Sequence, residues 1–305
     1  MPRVSRQLFH PRYWLTWVGF GLWWLMALLP YRVQMAMGRG LGRLAWRLAK
    51  SRRRTALRNL ALCFPEMSDA ERQALARRNF ESTAQAFFET GISWFWPRWR
   101  MCRLYSVEGL EHLQAAQQAG QGAVLLGMHF TNLDLGGKLL CQSHPVGGLY
   151  RPHNNPVYDY MQLKGREHLA EPGSIISRDD MRQMVRRLRQ GGVVWYAPDQ
   201  DYGPRRPHVF VPFFGIPAAT ITATSQLMRM GRAQLIPFTH HRRADGSGYD
   251  VKVYPPLTEL PSGDETADAR RINQFIEERV RACPEQYMWV HRRFKTRPEG
   301  EPSLY

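Results

Sequence analysis

AVLLGMHFTNLDLGG, residues 123–137, sets four apolar residues between glycines and places a histidine just beyond them. A run that short, bounded by glycine, reads as a buried strand rather than a helix. Comparable runs at 122–128, 146–150, 193–197 and 234–238 alternate with helical patterns, so the chain from residue 122 onward reads as one α/β domain. The stretch also poses a chemical question. A histidine at the end of an apolar strand is ordinarily a hydrogen-bonded packing residue, yet the same position suits a catalytic base.

Outward from this strand, Ser68-Asp69-Ala70-Glu71 has the form of a capping box and predicts a helix running to about Ser93. A short strand is expected around Tyr105 to Val107 and a helix near Leu110 to Ala119. Asp245-Gly246-Ser247-Gly248 predicts a hairpin turn into an alternating strand over 249–254. Ile272, Phe275, Ile276 and Val280 mark the apolar stripe of a late helix. The tryptophan- and arginine-rich segment WFWPRWRMC, 94–102, is expected near a membrane surface. There is no internal repeat.

Several of the apolar runs stop at polar side chains: His129, Arg151, and Asp199 with Asp201. Open α/β sheets bind ligands beyond the carboxyl ends of their strands, so these four are expected to share a site. The spacing from His129 to Asp134 adds geometry. With Thr131 or Asn132 capping the next helix, Asp134 falls in its first turn and is expected to meet the imidazole. A carboxylate on Nδ1–H fixes the tautomer and leaves Nε2 to take a proton from a hydroxyl. The competing account is a capping aspartate beside a packing histidine.

Charge is unevenly spread. Of the net +16, residues 1–65 contribute +12, with twelve Arg or Lys and no acidic residue. That segment also holds YWLTWVGFGLWWLMALL, 13–29, seventeen uncharged residues flanked by Arg3, Arg6, Arg12 and Arg32. Its length is at the lower limit for spanning a ~30 Å hydrocarbon core, and no signal-peptidase context follows it. An uncleaved membrane anchor helix is therefore expected, crossing once or seated on one side. After it, Arg39 to Arg58 interleave with Leu41, Leu44, Trp46, Leu48 and Leu57, as in a basic amphipathic helix lying on anionic lipid. The basic side, and the domain after it, are expected in the cytoplasm. Aromatic-rich sequence immediately upstream suits lipid rather than nucleic acid. The four cysteines form no CxxC or Cys/His cluster, so neither a disulfide framework nor a zinc site is suggested.

Longer stretches carry a family resemblance: HPRYWLTW at 10–17, RNLALCFPEMS at 58–68, ETGISWFWP at 89–97, YRPHNNP at 150–156, VVWYAPDQDYGP at 193–204 and PEQYMWVHRRFKTRPEG at 284–300. Over nearly its whole length the chain resembles the lipid A late acyltransferases of Gram-negative bacteria. His129 to Asp134 looks like the HxxxxD signature shared with glycerolipid acyltransferases. The resemblance implies a mixed sheet flanked by helices, with residues 1–65 as anchor and stem and 66–305 as the catalytic domain. It implies transfer of a fatty acyl group from acyl carrier protein to a hydroxyl on an acyl chain of the Kdo-bearing lipid A precursor. No cofactor or metal is implied, and the site would face the cytoplasm at the inner membrane. A lysophospholipid acyltransferase of the same fold is the alternative.

Under this resemblance His129 would be the base and Asp134 its support. Arg166 and Asp199 are implied as two further functional positions. Arg166 would bind a phosphate or oxyanion, or orient an acid, against a structural ion pair with an Asp or Glu; Asp199 would hold Arg166 or the histidine, against a plain loop carboxylate. Arg151 and Asp201 are expected around them. The basic tail from His291, with Arg292 and Arg293, is expected to meet acidic carrier protein or the acceptor's phosphates and Kdo carboxylates. Many family members carry Glu where this chain has Asp134. No GxSxG-type nucleophile is present, which argues against an acyl-enzyme. YRPHNNP and DQDYG look closer to the palmitoleoyl enzymes.

Overall fold

The computed structural model describes residues 4–305; Arg3, one of the expected flanking cations, lies outside them. After 3-10 turns at Arg6–Phe9 and Pro11–Tyr13 come the α-helices α1 (Trp14–Leu28), α2 (Tyr31–Leu48) and α3 (Lys50–Cys63). α4 (Asp69–Phe95) is the spine. The capping box forms as the sequence predicts: Glu71 N–H donates to Ser68 Oγ, and the Glu71 carboxylate accepts from Ser68 N–H at 2.7 Å. α5 (Arg98–Met101), β1 (Tyr105–Glu108) and α6 (Leu110–Gln118) follow.

The α/β part runs β2 (Ala123–Leu126), α7 (Leu133–Cys141), β3 (Gly148–Tyr150), α8 (Pro156–Glu167), β4 (Ile175–Ser177), α9 (Met181–Arg189) and β5 (Val193–Tyr196). After it come β6 (His208–Phe213), β7 (Ile216–Ile221), α10 (Ala223–Gly231), β8 (Gln234–Arg242), β9 (Tyr249–Val253) and α11 (Glu265–Ala282).

The main sheet has the order β1-β9-β8-β2-β5, with β2 parallel to both β8 and β5 and β8 antiparallel to β9. All four residues of β2 are buried. Val124 and Leu126 enter one apolar cluster, Ala123 and Leu125 the other, so the unbroken apolar run reflects helices on both faces of the sheet. The hairpin predicted at 245–248 joins β8 to β9.

Two features depart from the sequence reading. β6 and β7 form a separate hairpin that sequence pattern does not announce. Its turn is Phe214-Gly215, both at positive φ, rather than an Asn-Gly pair, and Pro212 opposite Pro217 disguises the strands. The second departure is the anchor. α1 has 15 residues, about 22 Å at 1.5 Å per residue, and among the described residues no helix is long and apolar enough to cross a membrane. Of the two forms open to the expected anchor, spanning or lying on one side, the crossing helix is not supported: α1 is short and ends before Pro30. Its Phe20, Trp23 and Ala27 are buried, with Trp23 Nε1–H donating to Phe87 O of α4 at 3.2 Å.

α2 crosses α4 closely through Gly38 and Gly42. A Cβ on Gly42 would fall 2.4 Å from Glu81 Cα, so only glycine permits this approach. The small face of α2 turns inward, and Val33, Met37, Leu41, Leu44 and Leu48 form an exposed stripe. Ala56, Leu60 and Cys63 of α3 share one apolar cluster with Val124 and Val194 of the sheet. Trp94 and Trp96 of the expected membrane-proximal segment are buried, while Trp99 is exposed.

Candidate active site

Strand register builds the centre of the site. Leu126 of β2 lies opposite Tyr196 of β5 in a parallel pair, and Gly127 N–H donates to Tyr196 O at 2.9 Å. Three residues beyond each partner come His129 and Asp199. Asp199 Oδ1 lies 2.6 Å from His129 Nδ1, and Oδ2 accepts from His129 backbone N–H at 2.8 Å. Asp199 is 1% exposed. Burial alone would push its carboxyl up. The facing imidazole, the hydrogen bonds from His129 and the charge of Arg293 outweigh burial and hold it below the usual carboxylate range. An ionised Asp199 accepts only, so the Nδ1 proton belongs to His129 and Nε2 is the nitrogen left for the cleft. Trp195 sits edge-on at 6.1 Å, so close to the chain that a Cβ on Gly127 would fall 2.1 Å from its indole nitrogen.

Asp134 is in the first turn of α7, as its spacing predicts, with Asn132 at the N-cap position. Its partner is not the one expected. The carboxylate meets Arg166 Nη2 at 2.7 Å, and Asp199 is the group bonded to the imidazole. The reason is the parallel β2–β5 pairing, which brings a carboxylate from 70 residues away alongside His129 while α7 carries Asp134 toward α8. Of the two roles open to Asp199, the structure shows contact with the histidine. Asn132 does not cap with its side chain either: its Oδ1 accepts from Nδ1–H of His240, a fully buried imidazole whose pKa desolvation pulls down to about 3.

Arg166 lies in the last turn of α8 and bridges two acceptors, Asp134 and the Leu149 carbonyl at 3.1 Å. The helix end that carries it is held by Lys138, whose ammonium donates to the carbonyls of Gly165 (3.0 Å), Arg166 (2.8 Å) and His168. Desolvation pulls this lysine down to about 8. Sequence reasoning passed over Lys138; its signal was a cation inside the apolar face LDLGGKLL. A buried fork, Arg242 on both Glu89 oxygens at 2.8 and 2.7 Å, was missed as well; it reaches the 129–134 loop through Ser82 and Thr131.

These groups open on a cleft of about 740 Å³ lined by His129, Asp134, Arg151, Arg166, Trp195 and Asp201, among others. A smaller apolar cavity of about 70 Å³ adjoins Asp134 and Arg166, walled by Leu125, Leu140, Val146 and Ile175. Arg151 is exposed at the cleft. The Asp201 carboxylate is taken up by the chain itself, accepting from Gly203 N–H, Thr296 N–H and Thr296 Oγ1. Arg292 is exposed, its guanidinium 5.7 Å from the Tyr305 ring. Arg293 corrects its expectation: at 3% exposure it cannot meet a carrier protein or a headgroup, because β7 and Phe213 enclose it. Among the described residues no cluster of three or more His, Cys, Asp or Glu could hold a metal ion.

Residues 1–296 match the family described as bacterial lipid A biosynthesis acyltransferase. The chain is 47% identical to the lipid A biosynthesis lauroyltransferase of Escherichia coli (strain K12), covering 100% of this chain and 99% of that protein. It is 42% identical to the palmitoleoyltransferase of the same organism, covering 99% and 98%, so overall identity does not follow the palmitoleoyl character of two short motifs. The E. coli myristoyltransferase is 32% identical over 100% of this chain and 94% of its own. With a site centred on the histidine of HxxxxD and relatives matched end to end, this chain belongs to the bacterial lipid A biosynthesis acyltransferases.

Proposed function

We propose that this protein transfers a fatty acyl group from the thioester of acyl carrier protein to a hydroxyl of a hydroxyacyl chain on the Kdo-bearing lipid A precursor, with His129 as general base. The observation that carries this reading is the buried Asp199 on His129 Nδ1, which leaves Nε2 to the cleft. The acceptor O–H gives its proton to Nε2 as its oxygen bonds to the thioester carbonyl carbon. The carbonyl electron pair moves onto oxygen and returns as the carbon–sulfur bond breaks. The departing thiolate takes the proton from Nε2, so ester and thiol leave a neutral imidazole behind. Arg166 supplies a guanidinium for the oxyanion or for an acceptor phosphate. The apolar cavity beside it suits part of an acyl chain.

The exposed stripe of α2 and the exposed Trp14, Leu15, Leu22 and Trp24 of α1, set among arginines, support seating on the cytoplasmic surface of the inner membrane without a crossing helix.

The test is a purified-protein assay offering acyl carrier protein or coenzyme A thioesters, with the lipid A precursor or a lysophospholipid as acceptor, read by mass spectrometry. Transfer only to the lysophospholipid would sink the acceptor assignment; equal use of coenzyme A thioesters would sink the donor. For the membrane seat, Leu41→Asp with Leu44→Asp should lose co-sedimentation with anionic vesicles, and unchanged binding overturns it.

A further inference from the structure

Beside the His129–Asp199 pair lies a further, partly enclosed pocket of about 10 Å³, bordered by Asn59, His129, Asp199, Tyr287, His291 and Arg293 among others. That is room for one water, and its walls carry the two or more polar groups a buried water needs. Arg293 is anchored on its far side. Nη1–H donates to Ala219 O at 2.6 Å and Nη2–H to Thr220 Oγ1 at 2.8 Å. Its Nε–H is buried and finds no acceptor among the described residues. Nor does any of their carboxylates form a direct ion pair with this guanidinium. A buried guanidinium whose Nε–H lacks an acceptor, and whose nearest compensating charge acts on it only through space from Asp199, favours a water on that donor.

We infer that Arg293 is a positioning residue for the base, coupled to Asp199 through one water held in this cavity. The inference rests on the reading of His129 as that base and adds a third member behind it. The water accepts from Arg293 Nε–H and donates toward Asp199, whose two oxygens already take both His129 donors. Arg293 thereby keeps Asp199 a carboxylate in a place where burial opposes it. The other groups bordering this pocket carry no positive charge, and Arg151 and Arg166 stand across the larger cleft on the open side of His129. His291 accepts from Asp201 N–H through Nε2 at 3.0 Å, and desolvation lowers it to about 4, so it is neutral near pH 7. Burial raises the phenols of Tyr287 and Tyr202. His240, on the other side of His129, is likewise neutral. Asp201 is a carboxylate already bonded to Thr296 and Gly203.

The test reads His129 without substrate. Diethylpyrocarbonate acylates neutral imidazole, and peptide mass spectrometry resolves His129 from the other nine histidines. With the full-length protein, the pH midpoint of His129 modification should rise in Arg293→Met by about one unit. A shift of that order is what losing one nearby buried charge produces at an effective dielectric of about 20. Arg293→Lys keeps the charge and should stay near wild type. In turnover assays Arg293→Met should lower kcat with little change in KM, and the acid limb of its pH profile should move with the labelling midpoint. An unmoved midpoint in folded Arg293→Met, or an equal shift in the lysine variant, overturns the proposal and leaves Arg293 a clip for β7. Should the methionine variant not fold, a wild-type crystal structure that resolves waters decides: a water bonded to both Arg293 Nε and Asp199 supports the coupling, and its absence overturns it. Because the labelling needs no turnover, failure of the base assignment would show separately, as retained activity in His129→Ala.

Discussion

Two aspartates serve one cleft from opposite environments. Asp199 sits at 2.6 Å from His129 with its side chain fully enclosed; Asp134 sits at 2.7 Å from Arg166 with both side chains about a fifth exposed. Nearly equal distances hide unequal consequences. Around Asp199 the low local dielectric strengthens every charge interaction, so the pair sets a tautomer and a protonation state. Around Asp134 partial contact with the cleft leaves the ion pair more screened than Asp199 is, and it orients a guanidinium there. The enclosed carboxylate fixes a tautomer, and the less enclosed one holds a guanidinium beside the cleft.

The comparison can be broken by substitution. His129→Ala should cost the most, about 10²–10⁴ in turnover, with little change in melting temperature because the imidazole borders the cleft. Near-wild-type turnover in a folded variant would end the catalytic reading. Next comes Asp199→Asn, which keeps volume but loses the charge and admits the wrong tautomer; a loss on the order of 10² in kcat is expected.

Asp134→Asn and Arg166→Lys should each lose roughly tenfold, since a lysine cannot bridge both Leu149 O and Asp134. If Asp134→Asn proves more damaging than Asp199→Asn, the roles drawn here for the two pairs are reversed.

The smallest effect is on stability. The Asp199 pKa is depressed in the folded state, so its contribution is present above the ordinary carboxylate range of about pH 4 and is lost as pH falls through its lower folded value. Thermal melts from neutral to strongly acid pH should therefore show wild type losing melting temperature over that window more steeply than Asp199→Asn. Parallel curves would remove the charge from the account.

Much of this architecture was readable from residues alone because local rules suffice for it. The box at Ser68, the turn at 245–248 and the apolar run of β2 each specify structure within a few residues. The β6–β7 hairpin was not readable, since its prolines and Phe-Gly turn mimic a loop. α1 looked long enough for lipid by hydropathy. Pro30 and the burial of Trp23 beside Phe87 made it a short helix that packs partly on the protein.

The site divides the same way. Sequence by itself determined that a histidine would follow a central strand, that Asp134 would lie in the first turn of the next helix, and which family the long aromatic-rich stretches resemble. Only the tertiary structure decided which carboxylate that histidine would keep, and that Arg293 would lie buried behind it rather than on the surface. The physical reason is that hydrogen-bond partners and burial are set by which strands lie side by side. Leu126 opposite Tyr196 brings together residues that no spacing along the chain relates.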